Sequence, residues 1–214
     1  MLEIKNVNKV FNEGTVDEKP ALQTINLSLK KGDFITVIGS NGAGKSTLMN
    51  IISGVLSPDS GSVLLDGRDV TNLPEYKRSR WIGRVFQDPM AGTAPAMTIE
   101  ENLSLAFSRN KSRTLKLGVT KNRREFFKES LSTLKLGLEN RLNAKVGLLS
   151  GGERQALSLL MATFTEPSIL LLDEHTAALD PSRAQLITEI THKIVSDLNL
   201  TTLMVTHNMQ QAID

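Results

Sequence analysis

A chain of 214 residues, 40% hydrophobic and 22% charged, is long enough to bury a sizeable core and is not composed like a disordered segment. A formal charge of +2 makes no global electrostatic case for nucleic acid, and the absence of cysteine excludes a disulfide framework and cysteine metal sites. No stretch reaches the ~18 apolar residues of a spanning helix and MLEIKNVNKVF is not a signal peptide, so any membrane role is expected to come through a partner.

In chain order, LEIKNV and TINLSL alternate apolar and polar residues, which predicts antiparallel strands with one solvated face, and KGD turns the second into the next run. FITVIG is continuously apolar and meets a glycine loop and the helical STLMNIISGV, the pattern of a buried strand feeding a helix. Asp66-Gly67 in GSVLLDGRDV is a hairpin signal. From Thr98 to about Asn143 the text is helical, beginning at TIEE, where Thr98 and Glu101 have capping-box spacing. ILLLDE and TTLMVTH are again buried strands, each reached from a helical segment, as in a parallel sheet wrapped by helices.

GSNGAGKS at 39–46 fits G-x-x-x-x-G-K-[ST] at every fixed position and lies between strand and helix as that motif requires, which sets it apart from a mere glycine-rich turn. Gly39, Ser40, Asn41, Gly42, Ala43 and Gly44 wrap closely, so that successive N–H groups and the positive helix end point at a phosphate. Lys45 adds a cation for the β and γ phosphates, the Ser46 hydroxyl suits magnesium, and Thr47 supports the α or β phosphate. In SILLLDEH, Asp173 is expected to hold magnesium and Glu174 to act as base. A lone acid there would be read as a helix cap or loop residue; the loop at 39–47 decides otherwise. No N-K-x-D element is present, which favours adenine over guanine, and Phe11 is either a stacking face for that base or simple core. The expected fold is α/β: a P-loop NTPase core with a mostly parallel sheet (1–97 and 144–214), an N-terminal antiparallel β subdomain, and an inserted helical subdomain (98–143).

LLSGGERQ at 148–155 sets Ser150, Gly151 and Gly152 before a second helix, either an ordinary capped start or a second anion site. Phe11, GSNGAGKST, Gln87 in VFQD, LSGGERQ, ILLLDE, AALD at 177–180 and His207 in VTHN follow in one order, and over essentially the whole chain the sequence resembles the nucleotide-binding subunits of ATP-binding cassette (ABC) transporters. The resemblance implies ATP and Mg2+ as cofactors and an ATP-dependent head-to-tail homodimer, in which the Ser150–Gly152 tip of one subunit grips the γ phosphate on the other. It further implies that Gln87 links the magnesium and water region to the membrane partner, that Asp180 lies at the subunit contact, and that His207 touches the γ phosphate. By itself His207 would be read as a satisfied histidine. The catalytic set is then Lys45, Gln87, Glu174 and His207, and the metal set Ser46, Gln87 and Asp173.

Three departures stand out. His175 replaces the usual proline and is given no catalytic role, Phe11 replaces the usual stacking tyrosine, and family members run some tens of residues past the histidine, so the sequence is expected to be trimmed at Asp214. With no spanning helix, the expected function is the ATPase of an importer for a small organic solute, possibly an amino acid. Its expected partners are a second copy, transmembrane permease subunits and, indirectly, a solute-binding protein, with the chain peripheral on the cytoplasmic face of the membrane and no nucleic acid bound. The alternative is an ABC ATPase of DNA repair or chromosomes, prompted by eight Lys or Arg against Glu125 alone at 109–128. A solvated face near lipid or the membrane subunit explains that run better, and no sustained heptads supply coiled-coil arms. A binding module that has lost catalysis is opposed by the presence of Lys45, Glu174 and His207.

Overall fold

The alternating first segment forms β1 (Leu2–Phe11), paired antiparallel with β2 (Lys19–Leu29) so that Leu2 faces Leu29 and Phe11 faces Lys19. The computed structural model describes residues 1–109 and 118–207. In the KGD turn the Lys30 N–H donates to the Asp33 carboxylate (2.7 Å), and Gly32 takes a φ of 84° before β3 (Phe34–Ile38). The glycine loop opens α1 (Lys45–Ser53). β4 (Ser60–Leu65) and β5 (Arg68–Asp69) form the expected hairpin, with Asp66 and Gly67 both at positive φ (50° and 74°). The antiparallel sheet runs β2-β1-β4-β5.

After a short α2 (Glu75–Arg78), β6 (Ile82–Val85) follows Trp81, whose carbonyl accepts the Ile169 N–H. Neither α2 nor β6 carries a distinct local pattern in the sequence. β7 (Ile169–Asp173) and β8 (Thr201–Thr206) are parallel to β3 in the order β3-β8-β7, and their near-continuous burial is that of a sheet covered on both faces. Two compact units result. One comprises Met1–Ile82, Ser168–Glu174 and Asn199–Asp214; the other comprises Gly83–Pro167 and His175–Leu198. The first has a core of Leu2, Ile4, Met49, Ile52, Val63, Leu171 and Val205 with their neighbours.

Arg78 is a charged member of that first unit's interior, 1% exposed. Its Nη1 donates to the carbonyls of Ile51 (2.7 Å) and Ile52 (2.9 Å), its Nε to Leu73 (2.7 Å) and its Nη2 to Thr71 (2.8 Å). The guanidinium thus satisfies the last turn of α1 and opposes the negative end of its dipole. This is the helix whose other end meets the phosphate loop.

The second unit contains α3 (Ile99–Phe107), α4 (Lys121–Ser132), α5 (Gly151–Thr163) and α6 (Pro181–Asp197). Thr98 caps α3 in the predicted box with Glu101. The helical stretch leaves and returns at one place, since Thr98 bridges Lys145 and the Ile99 N–H donates to the Ala144 carbonyl (3.0 Å). Phe107, Phe126, Phe127 and Phe164 cluster with centroids 5.4–6.3 Å apart, in tilted and edge contacts and, for Phe127 on Phe164, a stacked one. Of the basic run, Arg124 makes a bidentate bond to Glu100 (2.7 and 2.8 Å), Lys128 reaches Glu125 (3.5 Å) and Arg123 donates to the Gly118 carbonyl (2.6 Å). Residues 110–117 of that run lie outside the described residues. Among the described residues no helix is long and apolar enough to cross a membrane.

Candidate nucleotide site

The phosphate loop sits where β3 gives way to α1. Gly44 is the N-cap of α1 at φ 86°, and no side chain caps the helix, so its first N–H groups face the loop. A Cβ on Gly44 would run into the Ala21 carbonyl oxygen, which is why this loop lies flat on β2 only with glycine there. Gly42 is also left-handed (φ 84°). Lys45 is 8% exposed and donates to the carbonyls of Gly39 (2.7 Å) and Ser40 (3.0 Å), while Ser46 is exposed at the helix start and Thr47 half-buried.

Strand register brings the other predicted groups of this unit to the same edge. Ile38, just before Gly39, faces Thr206, just before His207; Val205 faces both Val37 and Asp173. The loop, His207 and the Asp173–Glu174 pair therefore end three adjacent parallel strands, each roughly 4.8 Å from the next. Glu174 takes a φ of 44°, costly for a non-glycine residue, and its N–H donates to the Val205 carbonyl (2.9 Å). Its Oε2 lies 3.3 Å from Nδ1 of His207. Phe11, half-exposed, ends β1 opposite Lys19, with the Lys9 ammonium 5.8 Å above its ring.

Hard oxygen donors, the Ser46 hydroxyl and the Asp173 carboxylate, are of the type magnesium takes. Among the described residues no group of three or more His, Cys, Asp or Glu could hold a metal by itself. The two donors would suit a magnesium ion bound together with a nucleotide.

The second unit carries the LSGGERQ helix. Ser150 is its N-cap: its Oγ accepts from the Glu153 N–H (3.3 Å), and the Ser150 N–H donates to Oε2 of Glu153 (2.7 Å). The box occupies the N–H groups of residues 150 and 153, leaving those of Gly151 and Gly152 at the start of the helix. Arg141 holds Glu153 from behind (2.7 Å). Partial burial pushes the Glu153 carboxyl up, but the Ser150 hydrogen bonds and Arg141 outweigh it and keep it below the usual glutamate value. S-x-x-E at 150–153 signals this box in the sequence, whereas nothing local signals Arg141.

Side chains on either glycine would press on the start of α6, Gly151 on Leu179 and Gly152 on Arg183 (3.3 Å each). The structure thus places Asp180 next to the Ser150 tip, where it caps α6 by accepting from the Arg183 N–H (3.1 Å). Gln87 is exposed just beyond β6, whose end is held by Gln155 donating to the Phe86 carbonyl (3.2 Å).

His175 is 4% exposed, with Nε2 3.1 Å from Oγ1 of Thr191. Because Thr191 donates its own proton to the Ile187 carbonyl (2.7 Å), the imidazole is the Nε2–H tautomer and the threonine accepts from it. Burial, helped by the charge of His192, pushes its pKa down to about 4 from 6.5. A depressed folded value means stability that is complete above pH 6.5 and lost progressively as the pH falls from 6.5 toward 4. Over that window the loss reaches about 3 kcal/mol. Urea midpoints between pH 4 and 8 should fall on acidification in the parent and flatten in His175→Gln; identical profiles would contradict this.

The sequence pattern of the family described as ABC transporter matches residues 22–177. The chain is 48% identical over 215 residues to the tyrosine transport ATP-binding protein of Clostridioides difficile (strain R20291), covering 100% of this chain and 84% of that one. It is 37% identical to the methionine import ATP-binding protein MetN of Vibrio vulnificus (strain YJ016), covering 98% of this chain and 58% of that protein. Among solved structures, the dimeric post-hydrolysis ATP-binding cassette MJ0796 bound to ADP and Pi superposes with a TM-score of 0.82 at 31% identity, covering 99% of this chain and 90% of that one. The chain belongs to the ABC transporter family, as its ATP-binding ATPase subunit, and has the family's cassette fold of antiparallel sheet, parallel core sheet and helical insert.

Proposed function

We propose that the chain is the ATP-hydrolysing subunit of an importer and that it works as a homodimer closed by ATP. The observation that carries the reading is the convergence of the phosphate loop, Asp173, Glu174 and His207 on one edge of the parallel sheet. Lys45 and the uncapped start of α1 neutralise the β and γ phosphates, and the adenine stacks on Phe11. Ser46 and Asp173, with Gln87 toward the membrane partner, would hold magnesium, which would supply charge neutralisation on the phosphates. Glu174 takes a proton from the attacking water, and His207, beside it, contacts the γ phosphate.

Ser150, Gly151 and Gly152 complete the site of the opposite copy, and Asp180 lies at the seam. The dimeric structure of the similar MJ0796 cassette, bound to ADP and Pi, supports a dimer as the working unit. Hydrolysis then depends on closure, which transmits work to permease subunits. The tyrosine and methionine transport proteins among its relatives support a small organic solute, such as an amino acid, delivered by a solute-binding protein to a permease at whose cytoplasmic face this chain docks. The functional division is a core of 1–97 and 144–214 with a helical subdomain of 98–143.

Complementation tests the shared site. Ser150→Arg and Lys45→Ala should each be inactive, and an equal mixture should recover up to roughly a quarter of parental ATPase activity, because half the dimers then contain one intact composite site. A mixture as inactive as its components would show that each chain hydrolyses with its own serine.

A further inference from the structure

We propose that Lys19 is a second phosphate-binding cation of the loop at 39–47, contacting the inner (α or β) phosphate of the nucleotide. The inference rests on the reading that ATP occupies this loop. A Cβ on Gly42 would stand 3.9 Å from the Lys19 ammonium, so the side chain of β2 reaches the turn of the phosphate loop. Lys19 lies directly opposite Phe11 in the antiparallel ladder, which puts both side chains on one face.

Among the described residues, no hydrogen bond or ion pair holds this ammonium. The adjacent Glu18 carboxylate instead accepts from the Gly14 N–H (2.7 Å), and Lys9 is taken by Asp59 (2.5 Å). Lys45 differs: it is buried and already bonded to the loop's own carbonyls. A base on Phe11 and a γ phosphate at Lys45 leave the inner phosphates to cross the turn at Gly42, within reach of the unpaired cation. An exposed ammonium on a flexible stem contributes modestly, up to about fivefold in affinity, with a marked salt dependence.

Calorimetric titration of the full chain with ATP and with ADP, and with adenosine as competitor, tests this. Lys19→Ala should weaken ATP and ADP by the same factor, about fivefold, and leave adenosine unchanged; Lys19→Arg should restore both, and the deficit should shrink as salt rises. Unchanged ATP and ADP affinities would overturn the proposal, as would a loss confined to ATP, which belongs to the γ phosphate, or an equal loss for adenosine, which belongs to packing. If instead Lys45→Ala left ATP affinity at the parental value, the underlying reading of the loop would fail, whatever Lys19 does.

Discussion

Glu174→Gln should bind ATP within about twofold of the parent yet hydrolyse it about 10²–10³-fold more slowly, and should accumulate as an ATP-bound dimer. The substitution is nearly isosteric. It keeps the backbone at φ 44° and the N–H bond to Val205, so the sheet edge that presents the phosphate loop is undisturbed. What disappears is the capacity to take a proton from water, and with it the negative partner 3.3 Å from His207. A backbone held in a sparsely populated region at the end of a buried strand is strain stored where the chemistry needs one side chain aimed in one direction. Single-turnover hydrolysis and size-exclusion chromatography with ATP check both halves of the expectation. Hydrolysis at the parental rate would remove Glu174 from the role of base and return it to that of a turn residue.

Arg78→Met should destabilise the first unit by about 3–5 kcal/mol, as expected when several buried carbonyls lose a charged donor at once. Methionine fills much of the volume but donates nothing, leaving the Ile51, Ile52, Leu73 and Thr71 carbonyls to find other partners. Lysine should rescue little, because a point ammonium cannot span acceptors arranged for a planar fork. The effect should spread to the loop, since Arg78 fixes the far end of the helix that the loop begins; a Cβ on Gly54, just past that end, would come within 2.7 Å of its Nε. A fall in the urea midpoint accompanied by weaker ATP binding is the expected result. A loss below about 1 kcal/mol would mean that water replaces the guanidinium at no cost.

Much of the site was legible because its parts are local. A continuous apolar run followed by G-x-x-x-x-G-K-S specifies a strand, a tight loop and a helix start within a dozen residues, and the structure forms them as β3, the loop and α1. The Asp66-Gly67 hairpin and the Thr98 box are likewise decided by neighbours in the chain. Other features gave little or no local signal. WIGRVFQ is too short and mixed to announce β6, and EYKRSR reads as exposed polar text although Arg78 is buried within it.

Local patterns in the chain specify the elements and the chemical types at their ends: backbone freedom at the glycines, apolar periodicity, and acids and a histidine closing two buried strands. Long-range packing is what brings Glu174 to His207, Arg141 through Glu153 to the Ser150 cap, Lys19 to Gly42 and Arg78 to the end of α1. These contacts join segments far apart in the chain. Their geometry is set by strand order and register and by the packing of whole elements, which no local spacing encodes.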